Sequence, residues 1–456
     1  MEDKGGKYIM ELKEFIDELF KEAKNNGFDE YEVYYVDSES LSINVYNEEV
    51  EKYKLNTSYG LSFRGKINGK IGYSYTEILD EDAIKMLVKN AKESALAIEN
   101  EDIQFIYEGD KEYKEVNSYY ESLENLPADK LIDLALSMEK ESKKLDSRVS
   151  SFGGCGIGYS KSKYGIINSK GLNLENKSNM LSAYVVPIIK VGEDMHDGMG
   201  YVTANSLEEV DPKKLAKDGI NEAISRIGGK SIPSGKYKTI INNEAMVSML
   251  STFAGVFSGD AAQKGLSLLK DKEGEIIASK KVTLLDDPHL EDGLASVSFD
   301  DEGVATKKKD IIHEGKLVTL LHNLKTAYKG NTKSTGNGFK SSYASPVGVS
   351  PTNFYIQKGT KSFDELLEEV GEGLLITEFA GLHSGANAIT GDFSLAAKGF
   401  YIKDGKKDFP VEQITVAGNF FDLLKNVVEV GADLKFPMSS VGSPSIRVEG
   451  LSIAGK

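Results

Sequence analysis

The sequence predicts an α+β fold, with an N-terminal α/β portion over residues 1–230 and a β-rich domain over residues 231–456. In the first half, blocks of helical periodicity alternate with blocks of extended segments. In the second half, extended segments interrupted by glycine predominate, which predicts large, mostly antiparallel sheets. The turn-rich stretch GGKSIPSGKYK, residues 228–238, separates the halves and gives the predicted boundary.

The N-terminal portion opens with an amphipathic helix that ends at Gly27, because apolar residues recur there at steps of three and four. These residues are Leu12, Phe15, Ile16, Leu19, Phe20 and Ala23. Four extended segments follow, namely YEVYYV, LSINVY, YGLSFRG and KIGYSYT. The pair Asn68-Gly69 predicts a tight hairpin between the last two, because both residues tolerate positive φ. A second helix is predicted to begin after Asp80.

The next block repeats this order of elements. A helix is predicted over PADKLIDLALSMEKESKKL, several strands over residues 150–191, and a closing helix over DPKKLAKDGINEAISRI. The N-terminal portion is therefore expected to contain two helix–meander–helix units, at about residues 8–100 and 127–228. The order of elements, and no set of matched residues, indicates this duplication.

The C-terminal half begins with a helix predicted near Asn243–Phe257 and continues through strands and turns. A late helix is predicted over NFFDLLKNVVEVG, where apolar residues recur at helical spacing. These residues are Phe420, Leu423, Leu424, Val427 and Val428.

Composition excludes several classes of function. The net charge of −16 opposes broad contact with nucleic-acid phosphates, which requires clustered Lys and Arg. No run of about 18 apolar residues occurs, so no membrane-spanning helix is predicted. The charged stretch MEDKGGKYIMELKEFIDELF lacks a signal-peptide core, and the single cysteine, Cys155, fits a reducing compartment. We therefore expect a cytoplasmic protein without direct nucleic-acid or membrane contact, and Cys155 is expected to be a small packed residue.

The pair His313-Glu314 resembles half of a zinc-peptidase motif, but its spacing is wrong. A helical zinc site needs a second histidine one turn later, and Leu317 and Val318 occupy those positions. His322 lies nine residues on, and Glu314-Gly315 is typical of a turn. The stretch is therefore predicted to be an exposed hairpin tip. His322 is expected to be structural or solvent-facing.

Two other segments are candidate sites. Acidic residues surround His289 and could bind a cation or perform acid–base chemistry, although such loops are usually just solvated. They are Asp286, Asp287, Glu291 and Asp292, followed by Asp300, Asp301 and Glu302. The segment GLHSGANAITGD carries His383, Asn387 and Asp392 among glycines that permit close approach of another backbone. We predict these three as peptide-binding residues, with irregular turns between strands as the alternative.

Several C-terminal segments together resemble the TldD/PmbA family, often labelled modulator of DNA gyrase. They are STGNGFKSSYASPVGVSPTNFYIQKG, SFDDEGVATKKKDIIHEGKLVTLLHN, GLHSGANAITGDFSLAAKGFYIKDGK and ITVAGNFFDLLKNVVEVGAD. The N-terminal half is similar more loosely. The resemblance implies cytosolic peptidase work by paired chains that admit and cleave unfolded peptides, as in peptide maturation and antitoxin turnover. One chain of such a pair carries zinc through His-Glu-x-x-x-His on a helix and a C-terminal cysteine, and the other, of PmbA or TldE type, lacks these ligands.

This chain resembles the type without the zinc motif. Counting back from Gly259-Asp260 places the ligand positions near Leu250, Ser251 and Gly255, and no cysteine follows in ADLKFPMSSVGSPSIRV. The same helix is expected to be apolar on one face, through Met246, Met249, Leu250, Phe253 and Phe257. We therefore expect no catalytic residue, metal or cofactor in this chain, and zinc in a TldD-type partner.

Three functions stay open on this basis. The first is the non-metal-binding subunit of a TldD/TldE-type heterodimer. The second is a homodimer that binds peptides without cutting them. The third is a peptidase whose site is unrecognised, at His289 or His383.

Overall fold

A computed structural model describes residues 10–97 and 103–456 of the chain. The predicted limits of the first unit, near residues 8 and 100, and the first nine residues of the charged N-terminal stretch lie outside the described residues. Within them the α+β fold is confirmed, with two helix–meander–helix units followed by a β-rich C-terminal portion. No helix in the described ranges is long and apolar enough to cross a membrane.

Each N-terminal unit places its strands between two helices. The first unit contains α1 (Leu12–Asn25), β1 (Glu30–Tyr46), β2 (Glu49–Ile67), β3 (Lys70–Thr76) and α2 (Glu81–Ala97). The second contains α3 (Ala128–Leu145), β4 (Val149–Asn168), β5 (Asn173–Val191), β6 (Asp194–Asp197), β7 (Gly200–Ala204) and α4 (Pro212–Ser225). Asp80 begins α2 by accepting a hydrogen bond from the Ala83 amide at 2.7 Å.

The two units share one seven-stranded antiparallel sheet. Its order is β3-β2-β1-β4-β5-β6, and β7 also pairs with β5. The first strands of the two units, β1 and β4, pair at the centre of the sheet, with Ser38 opposite Ser162. The helices of each unit pack together, α1 on α2 and α3 on α4. The duplication is therefore visible as an approximate two-fold relation within a single sheet.

Tight turns connect the long strands. Asn68 and Gly69 have φ of 52° and 78°, which confirms the predicted hairpin. The segments YEVYYV and LSINVY belong to one strand, β1, which pairs along its whole length with β2. Asn47 and Glu48, with φ of 53° and 61°, form the turn between these two strands.

The C-terminal portion contains six α-helices, one 3-10 helix (Ala254–Phe257) and thirteen strands among the described residues. The helices are α5 (Asn243–Phe253), α6 (Gly259–Gln263), α7 (Leu324–Lys329), α8 (Phe363–Val370), α9 (Leu382–Gly385) and α10 (Phe420–Lys425). The strands are β8 (Gly235–Ile241), β9 (Leu284–Asp286), β10 (Lys309–His313), β11 (Lys316–Leu317), β12 (Gly338–Lys340), β13 (Val347–Val349), β14 (Phe354–Ile356), β15 (Gly373–Ala380), β16 (Asp392–Lys403), β17 (Lys406–Asn419), β18 (Val427–Val430), β19 (Val441–Gly442) and β20 (Ile446–Ala454).

The largest C-terminal sheet closes on itself. Its order is β17-β16-β15-β8-β20-β18, and β17 also pairs with β20, so five of the strands form a small barrel. A second sheet has the order β11-β10-β9-β14-β19, and β12 pairs with β13. The buried residues of helix α5 belong to one continuous core with residues of both C-terminal sheets, among them Leu374 of β15 and Ile312 of β10.

The predicted late helix is wrong in its second half. Helix α10 ends at Lys425, and Val427 and Val428 belong to β18 instead. Asn419 caps the start of α10 through its side-chain oxygen, which accepts the amides of Phe421 and Asp422. The β-branched valines then pair with β20, Val427 opposite Val448, so strand pairing prevails over a periodicity that suited either structure.

Candidate functional site

Helix α5 occupies the place where a zinc-binding helix is expected. The Asn242 side chain accepts the Ala245 amide at 2.8 Å and caps the helix, and the Asn242 amide donates to the Ile376 carbonyl of β15 at 2.9 Å. The inner face is apolar, as predicted, and is fully buried. Its Phe253 ring stacks on Phe420 with centroids 4.5 Å apart. The helix is therefore fixed at its start and along one side.

The outer face of α5, continued by the 3-10 turn Ala254–Phe257, carries small residues. Ser251 and Gly255 are exposed, whereas Ser248 and Thr252 are half-buried and donate to the carbonyls one turn back. A Cβ added at Gly255 would meet no atom within 4 Å. This face of the helix is therefore open, and nothing larger than threonine projects from these four positions.

The residues at the expected ligand positions do not fit zinc. Leu250 is fully buried in the core, and Ser251 and Gly255 lie on the outer face. A leucine, a serine and a glycine offer no imidazole, thiolate or carboxylate, which are the ligands that zinc requires in proteins. Within residues 10–97 and 103–456, no three His, Cys, Asp or Glu side chains come together as a metal site.

The histidines near the half-motif serve other purposes. His313 is exposed at the end of β10, and its Nδ1 lies 2.7 Å from an Asp310 carboxylate oxygen. Glu314 and Gly315 form the turn with φ of 45° and 84°, which confirms the hairpin tip. His322 is buried, with Nδ1 3.2 Å from the Thr326 hydroxyl, and its ring lies against Gly259, so it is structural.

Two of the acidic residues near His289, Asp286 and Asp287, are engaged within the fold, whereas Glu291 and Asp292 are exposed. Asp286 is completely buried and accepts hydrogen bonds from the Thr352 amide and hydroxyl and from the Asn337 side chain. Asp287 pairs with Lys308 at 2.8 Å. His289 Nε2 lies 3.2 Å from the Thr306 hydroxyl, and burial lowers the pKa of His289. These hydrogen bonds and the ion pair stabilise the loop. The carboxylates of Asp286 and Asp287 already have partners within the fold, so they do not form a pair that is free for acid–base chemistry.

Asp300, Asp301 and Glu302 lie in a different place, at the contact between the N-terminal sheet and the C-terminal portion. Sequence reasoning placed them in an exposed acidic loop, but all three are buried. Burial raises the pKa of Asp301 to about 6 and that of Glu302 to about 7.

Two cations from distant strands face these three acids. Arg64 of β2, held by Glu32 of β1, lies next to Glu302, and Lys340 of β12 donates to Ser62 of β2 at 2.9 Å. Burial, and then Arg64, lower the pKa of Lys340 to about 7. Arg64 lies more than 200 residues before the three acids and Lys340 about 40 residues after them, so no local pattern in the sequence indicates this cluster.

The glycine-rich segment forms an exposed loop around α9. The Asn387 side-chain oxygen accepts the amides of Ile389 and Thr390, and Asp392 accepts the Thr390 hydroxyl at 2.8 Å and the Asn419 amide group at 3.0 Å. The hydrogen bonds from Asn419 and Thr390 lower the pKa of Asp392. Asn387 and Asp392 therefore shape the loop, whereas His383 is exposed. Peptide contact by these residues remains a prediction.

Cys155 is packed in the core of the second unit. It is almost fully buried, and its Sγ lies 3.5 Å from the Ala135 carbonyl oxygen. Burial raises the pKa of the thiol far above its ordinary value. A thiol in this environment stays protonated, which fits the expected packing role.

Family models match most of the chain. The PmbA/TldA metallopeptidase domain 1 matches residues 31–95, the central domain matches 121–227, and the C-terminal domain matches 234–455. The metalloprotease PmbA of Escherichia coli O157:H7 is 31% identical over 332 residues, which cover 72% of this chain and 70% of that protein. An uncharacterized protein of Methanocaldococcus jannaschii is 30% identical over 419 residues, 91% and 94% of the two chains.

Solved structures agree with these matches. A Thermotoga maritima protein, named as a candidate modulator of a DNA gyrase, superposes with a TM-score of 0.91 at 34% identity over 97% of this chain and 100% of that one. TldE from Thermococcus kodakarensis shares the fold, with a TM-score of 0.88 at 23% identity over 97% and 100%. The order of elements, the position of α5 and these likenesses together lead to one conclusion: the chain belongs to the PmbA/TldD metallopeptidase family.

Proposed function

We propose that this chain is the non-metal-binding subunit, of PmbA/TldE type, in a cytosolic TldD/TldE-type zinc peptidase that cleaves unfolded peptides. Its partner would be a TldD-type chain that supplies the zinc. The two chains together would act in processes such as peptide maturation and antitoxin turnover. The observation that carries the proposal is helix α5, where Leu250, Ser251 and Gly255 stand at the expected ligand positions and Leu250 is committed to the core. The chain then contributes a wall of the shared chamber and no catalytic group.

The outer face of α5 suits such a wall. Its small residues leave room beside the helix, and Gly255 has open space around it. The start of the helix is held firmly, because Glu244 accepts hydrogen bonds from the Tyr201 hydroxyl at 2.7 Å and from Lys435 at 2.5 Å. Although burial alone would raise the pKa of Glu244, these bonds lower it, so the carboxylate remains charged.

The first experiment combines the two chains. This chain is co-expressed with a TldD-type chain, the zinc content of each purified chain is measured, and cleavage of fluorescein-labelled casein is followed. We expect co-purification, zinc in the partner only, and chelator-sensitive cleavage by the mixture. One zinc bound per copy of this chain alone, or chelator-insensitive cleavage by this chain alone, would exclude the proposed role. A stable homodimer that binds casein but does not bind the TldD-type chain would favour the alternative function, a homodimer that binds peptides without cutting them.

A variant tests the role of the α5 face. Gly255→Arg places a long side chain in the open space beside the helix without disturbing the core. If this face lines the chamber, the mixture should lose most of its casein cleavage while the melting temperature stays unchanged. Ser147→Arg, at an exposed position between α3 and β4, is the matched control and should retain full activity. If the Gly255→Arg variant retained the full activity of the control, the outer face of α5 would not line the chamber.

A further inference from the structure

A cavity of about 950 Å³ lies between the segment that follows α2 and the C-terminal portion. Its volume is at the upper end of the range for ligand pockets in proteins. Five lysines line it, Lys170, Lys307, Lys308, Lys309 and Lys333, against two carboxylates, Glu108 and Asp110. The chain as a whole carries a net charge of −16, whereas lysines outnumber carboxylates in the lining of this cavity.

Three of these lysines are neutralised within the fold. Lys170 pairs with Glu30 at 3.2 Å, Lys308 with Asp287 at 2.8 Å and Lys309 with Asp286 at 2.8 Å. Of the two carboxylates, Asp110 accepts the Ala305 amide at 2.8 Å and so anchors the cavity wall.

Lys307 and Lys333 differ from the other three. Both are exposed, and neither has a carboxylate within 4.0 Å among residues 10–97 and 103–456. Two ammonium groups are therefore available to an incoming anion at the cavity.

The rest of the lining is mostly apolar or aromatic. Leu324 and Ala327 of α7 contribute to one wall, and the Tyr328 ring, 54% exposed, packs against Phe105 with centroids 5.3 Å apart. The lysines act as separate point charges on flexible stems, and no arginine in the lining offers a planar fork for phosphate. Acidic side chains spaced along an apolar, extended chain match such a surface better than a compact phosphate group.

We propose that this cavity binds acidic stretches of unfolded peptide, with Lys307 and Lys333 as the anion-binding residues. The proposal rests on the proposed function and names a substrate class for it. Because the chain as a whole carries a net charge of −16, the molecule as a whole would repel an acidic peptide, and the ammonium groups of Lys307 and Lys333 would attract it to this cavity.

Binding is measured on the purified full chain by fluorescence anisotropy, without any cleavage step. The probes are a fluorescein-labelled peptide in which Asp and Glu alternate with Phe and Ser, and the same peptide with Asn and Gln in place of the acids. We expect the acidic peptide to bind, and we expect its affinity to fall as the salt concentration is raised, because exposed charge pairs are screened. We expect Lys307→Gln/Lys333→Gln to weaken that binding roughly tenfold at low salt, the equivalent of about 1.4 kcal/mol.

The double variant Lys52→Gln/Lys54→Gln is the matched control. It removes the same charge from the exposed part of β2, away from the cavity, and should leave the affinity unchanged. Equal affinity for the acidic and amide peptides, or equal losses in the two double variants, would overturn the proposal. Binding of ATP or pyrophosphate that depends on Lys307 and Lys333, without binding of the acidic peptide, would overturn it as well. The proposed function is tested separately, because it fails if the two-chain mixture does not cleave casein, whereas the anisotropy measurement involves no cleavage.

Discussion

At the scale of single residues, the burial of Leu250 shows that helix α5 packs against the core at a position where a zinc ligand is expected. Its side chain is fully buried among the residues that join α5 to both C-terminal sheets. Leu250→Ala should lower the free energy of unfolding by about 2–5 kcal/mol, because it removes buried methyl groups and leaves a cavity. Urea denaturation followed by circular dichroism measures the change.

The neighbouring position provides the control for this prediction. Ser251 is exposed, so Ser251→Ala should change the free energy of unfolding by no more than about 0.5 kcal/mol. If the two substitutions had similar small effects, Leu250 would not lie in the core. The position would then be free to face a ligand, contrary to the structural account of α5.

At the scale of elements, two glycines mark where helices approach the N-terminal sheet most closely. A Cβ on Gly72 of β3 would overlap the carbonyl of Ala91 in α2, and one on Gly200 of β7 would overlap that of Leu215 in α4. The two glycines occupy equivalent places in the two units. They are a matched pair that supports the duplication, which element order alone had suggested.

Gly72→Ala and Gly200→Ala should each lower the free energy of unfolding by about 3 kcal/mol or more, because helix and sheet must separate to admit the methyl group. Gly158→Ala in β4 is the control, since a Cβ there would make only ordinary contacts. Thermal unfolding of the three variants measures the difference. A Gly72→Ala protein as stable as the Gly158→Ala protein would show that α2 is not held this close to β3.

Elements with a strong local signal were predictable. The amphipathic helices of the N-terminal portion, the Asn68-Gly69 hairpin and the Glu314-Gly315 turn are all present, because periodicity and turn chemistry act within a few residues. The prediction of the late helix was wrong beyond Lys425, because the spacing of its valines is compatible with both a helix and a strand. Pairing with β20 decided between them.

At the scale of the whole molecule, the contact between the N-terminal sheet and the C-terminal portion should make stability depend on pH. Burial raises the pKa of Asp301 to about 6 and that of Glu302 to about 7, whereas exposed carboxyls titrate near about 4. The folded protein therefore binds more protons than the unfolded chain in this window. The free energy of unfolding should consequently fall as pH rises from about 4 to about 7.

Glu302→Gln should flatten this fall, because the amide occupies the site without titrating. Urea unfolding at several pH values from about 4 to about 7 measures the slope. Lys340 acts in the opposite direction at higher pH, since its lowered pKa favours the folded state as pH rises above about 7, so the comparison stays below that value. Glu115→Gln, at an exposed carboxyl, is the control, and an equal slope in both variants would mean that Glu302 does not titrate at the interface.

The sequence by itself determined the fold class, the duplicated units, the family and the lack of zinc ligands near residues 250–255, because these depend on local periodicity, element order and residue identity. Only the tertiary structure decided that Asp300, Asp301 and Glu302 are buried against Arg64 and Lys340, and that the lysines following them line a cavity. It also decided that Asn387 and Asp392 hold their own loop in shape. Burial and charge pairing between residues hundreds of positions apart have no local signature, since they arise only when the chain brings distant strands together.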